Sequence, residues 1–228
     1  QLFDELGSEV RDADIIRWYG TDANYYYLPE ALCVPIIKTL LEEKIETEPT
    51  EVINRIEELM LKHSDNSMMT AVMDYAVIVA RLYEKALTLG SLTLNTADEY
   101  VMRYESDYCF IDQYYRQTNE TYFGIDPTCE LFDAVQKVKR GLDQNYSKLC
   151  NRINLEWTRC LKETGGMDEV HMLRQYNFYD EKIKSVQKKV AVIVSDALRY
   201  EVAQELIGEL AKSKHIASLK PAIAMLPS

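Results

Sequence analysis

Histidine is scarce in this sequence, and no two cysteines have the spacing of a metal-binding or redox motif. The three histidines, His63, His171 and His215, are too few and too dispersed to predict a histidine-rich metal site within the chain. The five cysteines are odd in number and include no CxxC pair, which favours free thiols over a disulfide framework. We therefore expect a protein of the reducing cytoplasm.

Long apolar runs and a basic charge balance are also missing. No stretch approaches the roughly 18–20 apolar residues of a membrane span, and no signal peptide opens the chain, so we expect no membrane association. The 26 Lys and Arg are outnumbered by 37 Asp and Glu, which gives a net charge of −11. Because nonspecific nucleic-acid binding depends on Lys and Arg contacts to phosphates, we do not expect this acidic chain to bind nucleic acid by itself.

Up to about Lys189, the apolar residues recur at helical spacing. One stripe lies within Ser67–Leu89, and Gly90 is placed to end that helix. Asp126 and Pro127 have the pattern of a helix start, and a long straight helix is predicted from there to the Gly165-Gly166 break. Shorter helices are predicted after Pro49 and after Asn177, which we interpret as an N-cap. The first 176 residues are thus predicted to form a helical domain.

Tyrosine is abundant, with 16 residues. Tyr100, Tyr104, Tyr108 and Tyr115 form one helical stripe, and acidic residues surround it. Aromatic platforms that stack bases come with a positive groove, so we expect these rings to pack between helices instead. Packing is also the expectation for Tyr25–Tyr27.

The pattern changes at Val190–Val194, where five apolar residues run without alternation. Such a run is typical of a strand buried on both faces, as in a parallel sheet flanked by helices. Ser195 and Asp196 follow, and helical spacing resumes with Ala197, Leu198, Val202, Leu206 and Leu210. A carboxylate at the end of such a strand lies where open α/β sheets bind ligands. Asp196 is therefore the main candidate functional residue.

The residues around Asp196 exclude several chemistries. Leu198 stands where a haloacid-dehalogenase-type phosphatase has its second Asp, and the turn lacks the glycines of a dinucleotide or phosphate-binding loop. Two interpretations stay open: Asp196 ligates a divalent metal, or it caps the following helix. Arg199 and Glu201 are interpreted as exposed helix surface in preference to a substrate-binding role.

Val190–Ser228, with its SDALRYEVAQEL and MLPS motifs, resembles the start of the PglZ domain, and the preceding NFYDEKI (Asn177–Ile183) resembles the type 1 form. The PglZ family belongs to bacteriophage-exclusion (BREX) defence systems and is similar to the alkaline phosphatase superfamily. This resemblance implies an α/β fold after the helices, with Asp196 as a metal ligand. It also implies a Thr nucleophile just beyond the LPS motif, so that Ser228 is the candidate catalytic residue within this chain.

The resemblance implies a mainly α-helical domain (1–176), followed by a linker helix and the first β-α-β portion of an alkaline-phosphatase-like domain (177–228). The chain begins with Gln1 and has a strand-like composition at Ala217–Leu226, so we interpret it as part of a longer protein. That protein is implied to be a metal-dependent phosphatase or phosphodiesterase that uses Zn, or else Mn or Mg. We expect this chain alone to be inactive and to bind no metal tightly.

A non-enzymatic alternative is that the helical part is a scaffold that assembles a defence complex. The resemblance implies other BREX proteins as partners, namely the methyltransferase and ATPase components. The substrate of the enzyme cannot be deduced from these residues.

Overall fold

The computed structural model describes residues 30–62, 67–196 and 198–224. These residues are mostly helical, as the periodicity predicts. The described part contains seven α-helices: α1 (Glu30–Thr39), α2 (Pro49–Lys62), α3 (Ser67–Leu87), α4 (Ala97–Arg103), α5 (Cys109–Phe123), α6 (Phe132–Thr164) and α7 (Tyr200–Lys212). Among the described helices, none is both long and apolar enough to cross a membrane.

Five short helical turns accompany these helices in the described residues. Three are π-helical, at Leu40–Lys44, Tyr104–Tyr108 and Tyr179–Ile183, and two are 3₁₀ turns, at Met167–Glu169 and Gln175–Asn177. The turn at Tyr104–Tyr108 joins α4 directly to α5. Single π-helical turns are uncommon and occur often at functional sites.

One compact unit, unit 1, comprises the described residues of 1–88 and residues 114–148. Helix α2 buries Val52, Ile56 and Leu59, which lie on one stripe, and α3 buries a similar stripe that includes Val72 and Val79. These stripes share one core with apolar residues of α1 and of the first half of α6. A fully buried side chain of this kind contributes about 1.5–3 kcal/mol through loss of apolar surface, so packing holds these helices together.

Aromatic rings add a second set of contacts in unit 1. The rings of Tyr115 and Tyr146 are stacked, with centroids 3.7 Å apart and planes at 6°. The Tyr115 hydroxyl donates to Asp143 Oδ1 at 2.9 Å, and Asp143 also pairs with Lys139. Lys139 Nζ lies 5.6 Å from the Tyr115 ring centroid. Tyr115 is therefore a packing residue, as the acidic surroundings of its stripe predict.

The other compact unit, unit 2, comprises residues 89–113 and the described residues of 149–228. Its small core contains Leu89, Leu92 and Tyr108, against which Tyr104, Leu149 and Ile153 pack. Thr96 caps α4, because its side chain accepts a hydrogen bond from Glu99 N at 3.2 Å.

Hydrogen bonds hold the segment after α6 in place within unit 2. Gly165 and Gly166 have φ values of +102° and +93°, which only glycine adopts easily, so α6 ends at the predicted break. His171 then bonds Asp98 twice: its backbone N donates to Oδ1 at 2.8 Å, and its ring Nδ1 lies 2.9 Å from Oδ2. Arg174 forms an isolated parallel bridge with Ile223.

The prediction of a β-α-β portion is wrong for the described residues. Val190–Val194 forms no strand, and Ile193 and Val194 are 90% and 88% exposed. Ala217–Ala224, the described part of the second strand-like segment, contains only the bridge at Ile223. A strand needs hydrogen-bonding neighbours for its backbone, and the described residues offer none to Val190–Val194. The predicted boundary at 176/177 remains a prediction.

Two predicted helix starts are also wrong. Helix α6 begins at Phe132, because the Asp126 side chain closes a turn by accepting from Thr128 N at 2.8 Å. Asn177 does not cap a helix: it ends a 3₁₀ turn, and the π-helical turn after it has no side-chain cap. The predicted start at Pro49 is confirmed. Tyr25–Tyr27 lie outside the described residues.

Candidate functional site

Asp196 lies in a turn between the exposed Val190–Val194 run and helix α7, and its side chain is exposed. The N-cap of α7 is Arg199, three residues further along the chain, and it uses no side-chain hydrogen bond. Asp196 is therefore not the N-cap residue of α7, and its role as a metal ligand stays a prediction.

A catalytic metal needs about three protein ligands and an open position. Across residues 30–62, 67–196 and 198–224, no group of three or more His, Cys, Asp or Glu side chains is arranged to hold a metal ion. The described residues thus do not fit a metal centre around Asp196. Ser228, the candidate nucleophile, lies outside the described residues.

The prediction for Glu201 is wrong. Its side chain is fully buried, whereas the sequence predicts exposed helix surface. Glu201 Oε1 lies 2.6 Å from Arg199 Nη2, and the Arg199 side chain is 57% exposed, as expected. Neither carboxylate oxygen of Glu201 accepts a hydrogen bond. A buried carboxylate that forms an ion pair but accepts no hydrogen bond is costly to desolvate.

The surroundings of Glu201 are aromatic. Glu201 follows Tyr200, whose ring meets the Tyr104 ring edge-on, with centroids 6.1 Å apart. The Tyr104 hydroxyl donates to Asp112 Oδ2 at 2.8 Å. Burial raises the pKa of Tyr104, and the negative charges of Asp112 and then Glu201 raise it further. Tyr104 is thus a neutral hydrogen-bond donor at any physiological pH.

The sequence contained a weak signal for this arrangement. The SDALRYEVAQEL segment places Glu201 immediately after an aromatic residue, at the start of an amphipathic helix. The tyrosine stripe at Tyr100, Tyr104 and Tyr108 is the surface that such a segment can pack against. Tyr100 and Tyr108 are each 4% exposed, which confirms packing for these two rings. What the sequence did not show is that the two segments meet.

Fold and site together define a mostly helical protein whose C-terminal part carries an exposed aspartate between an apolar run and a helix. Residues 178–228 match the family described as the BREX system PglZ alkaline phosphatase-like domain. This match confirms the resemblance for about the last fifth of the chain. No curated protein and no solved structure is a match for the chain.

Proposed function

We propose that this chain is part of a BREX phage-defence protein, and that the intact protein is a metal-dependent phosphatase or phosphodiesterase. The observation that supports this is the PglZ match over residues 178–228. Within it, Asp196 stands in an exposed turn between the apolar run and helix α7, and the resemblance to the family implies a metal ligand at this position. The remaining metal ligands, and the nucleophile at or beside Ser228, are then supplied from outside the described residues.

The proposal is tested with the intact protein and two esters, p-nitrophenyl phosphate and bis(p-nitrophenyl) phosphate, in the presence of Zn, Mn or Mg. We expect metal-dependent cleavage that Asp196→Asn abolishes, together with a lower metal content by elemental analysis. Asp180→Asn is a matched control, because Asp180 is also exposed and within the matched region. Full metal occupancy in Asp196→Asn would contradict the ligand assignment, whatever the activity.

The 228-residue chain itself is expected to cleave neither ester, because the described residues supply too few ligands for a metal centre. This expectation is checked in the same assay with added metal. Turnover by this chain that is lost in Asp196→Asn would contradict it, and would show that the chain contains a complete site.

The second candidate function is a non-enzymatic scaffold. It is favoured by unit 1, whose helices α1, α2 and α3 share a core with the first half of α6 and need no ligand to complete it. The methyltransferase and ATPase components of BREX systems are the proposed partners of such a scaffold. Co-purification of these proteins with an Asp196→Asn variant, together with phage resistance that survives this substitution, would favour the scaffold over the enzyme.

All five cysteines fall within the described residues, and none forms a disulfide. Free thiols persist in a reducing compartment. This observation supports our proposal that the protein acts in the cytoplasm.

A further inference from the structure

A cavity walled by aromatic rings lies in unit 2, beside the π-helical turn Tyr104–Tyr108. Its volume is about 220 Å³. The four rings that line it belong to Tyr100, Tyr104, Tyr108 and Trp157, and Asn154 adds a polar group. Pockets for drug-sized ligands have volumes of roughly 300–1,000 Å³, so this cavity suits a smaller molecule.

The rings are held in place before any ligand binds. The Tyr100 hydroxyl donates to Leu92 O at 3.0 Å and accepts from Leu94 N at 3.1 Å. The Tyr100 ring meets the Trp157 ring edge-on, with centroids 5.6 Å apart. Tyr104 is fixed by its bond to Asp112. A fixed wall lowers the entropic cost of binding, because few side chains must be ordered.

The charges around this wall favour a cation. Beside Tyr104 lies the carboxylate of Asp112, whose Oδ2 accepts a hydrogen bond from the Tyr104 hydroxyl at 2.8 Å. Near Tyr108, the charges of Arg103 and Asp107 have opposite signs. The two side chains form an ion pair with a separation of 3.5 Å. The positive charge of Arg199 is likewise paired, with Glu201. The face of an aromatic ring carries a negative electrostatic potential, which favours a cation over an anion beside these rings.

We propose that this cavity binds a small organic cation with a quaternary or methylated ammonium head group. A cation over the faces of Trp and Tyr rings is attracted by their quadrupoles, and cages of such rings recognise quaternary ammonium ligands. The Asp112 carboxylate beside Tyr104 strengthens this attraction. The site uses none of the residues assigned to ester cleavage, and it requires no metal.

The chain offers a fluorescent probe for the test, since Trp157 lines the cavity and the only other tryptophan is Trp18. In a Trp18→Phe background, titration with choline is expected to change the Trp157 emission and to saturate. The neutral carbon isostere of choline, 3,3-dimethyl-1-butanol, is expected to bind at least about threefold more weakly, because it lacks the cation–π attraction. Sodium chloride at the same ionic strength controls for screening.

A pair of variants tests the location. Tyr104→Leu removes one wall and is expected to weaken choline binding about tenfold, whereas Tyr176→Leu, an exposed tyrosine outside the cavity, is expected to leave it unchanged. Far-UV circular dichroism identifies variants that remain folded, and Tyr104→Phe, which keeps the ring, should retain most of the binding. Equal affinity for choline and its neutral isostere would overturn the proposal. So would unchanged binding in a folded Tyr104→Leu variant, or no binding to the parent protein.

Discussion

Glu201 and its partner Arg199 differ in their exposure: the carboxylate is fully buried, and the guanidinium is more than half exposed. When a buried ion pair loses one partner, the charge left behind is uncompensated, and this costs more than removal of both charges together. The Glu201 carboxylate accepts no hydrogen bond. The free-energy cost of burying its charge is therefore offset mainly by the ion pair with Arg199.

Arg199→Met, which keeps most of the apolar stem, is therefore expected to lower the free energy of unfolding by about 1–3 kcal/mol. Glu201→Gln should cost less, because a neutral amide is cheaper to bury than an unpaired carboxylate. The double variant should be more stable than the sum of the single effects predicts. Urea unfolding of all four proteins measures this coupling, and simple additivity would show that the pair does not interact.

Asp98 contributes stability that depends on pH. The backbone N–H of His171 is the main reason that the pKa of Asp98 is lowered, and the His171 side chain adds to the effect. Because the folded-state pKa lies below the unfolded one, the stabilisation is present above the unfolded pKa, near 3.9. It is lost as the pH falls through the lower, folded-state pKa.

Asp98→Asn is accordingly expected to destabilise the protein at neutral pH and to differ little from the parent in strong acid. Thermal unfolding of both proteins between pH 7 and pH 2.5 measures the difference. The gap between their melting temperatures should be present above about pH 5 and should close as Asp98 is protonated. A gap that stays constant over the whole range would contradict the assignment of this stabilisation to the Asp98 carboxylate.

At the scale of elements, the helices could be predicted from the sequence, but the conformation of Val190–Val194 could not. The period of α3 and the break at Gly165-Gly166 are local properties, so the sequence alone indicated them correctly. Val190–Val194 has the composition of a buried strand, but strand formation requires a partner, and composition does not show whether one is present. The prediction that Glu201 is exposed failed for the same reason, because the neighbouring Tyr200 packs against Tyr104, which is far away in the sequence.

Two glycines give a matched test of helix energetics. Gly141 lies inside α6, and a Cβ there would meet only Glu46 Oε1 at 3.5 Å, an ordinary contact with a side chain. Gly141→Ala is therefore expected to stabilise the protein by about 0.5–1 kcal/mol. Gly90 has a φ of +65°, so Gly90→Ala should destabilise by about 1 kcal/mol. Urea unfolding measures both, and effects of the same sign would contradict this account.

At the scale of the whole molecule, the distribution of apolar surface matters most. Unit 1 buries its apolar stripes in its own core, whereas Val190–Val194 leaves β-branched side chains in solvent. Unpaired backbone next to exposed apolar side chains is a template for pairing between chains. Among the described residues, the same five that suggested a central strand are therefore a segment prone to self-association.

We expect the 228-residue chain to self-associate through Val190–Val194 as its concentration rises. Ile193→Lys together with Val194→Lys should reduce this association, because charges on an unpaired edge oppose pairing. The two substitutions should leave the free energy of unfolding within about 0.5 kcal/mol of the parent, since both side chains are exposed. Light scattering with urea unfolding separates the two effects, and Leu61→Lys together with Leu87→Lys, at two other exposed apolar positions, controls for added charge. A parent chain that remains monomeric at high concentration would contradict the prediction, as would equal loss of association in the control.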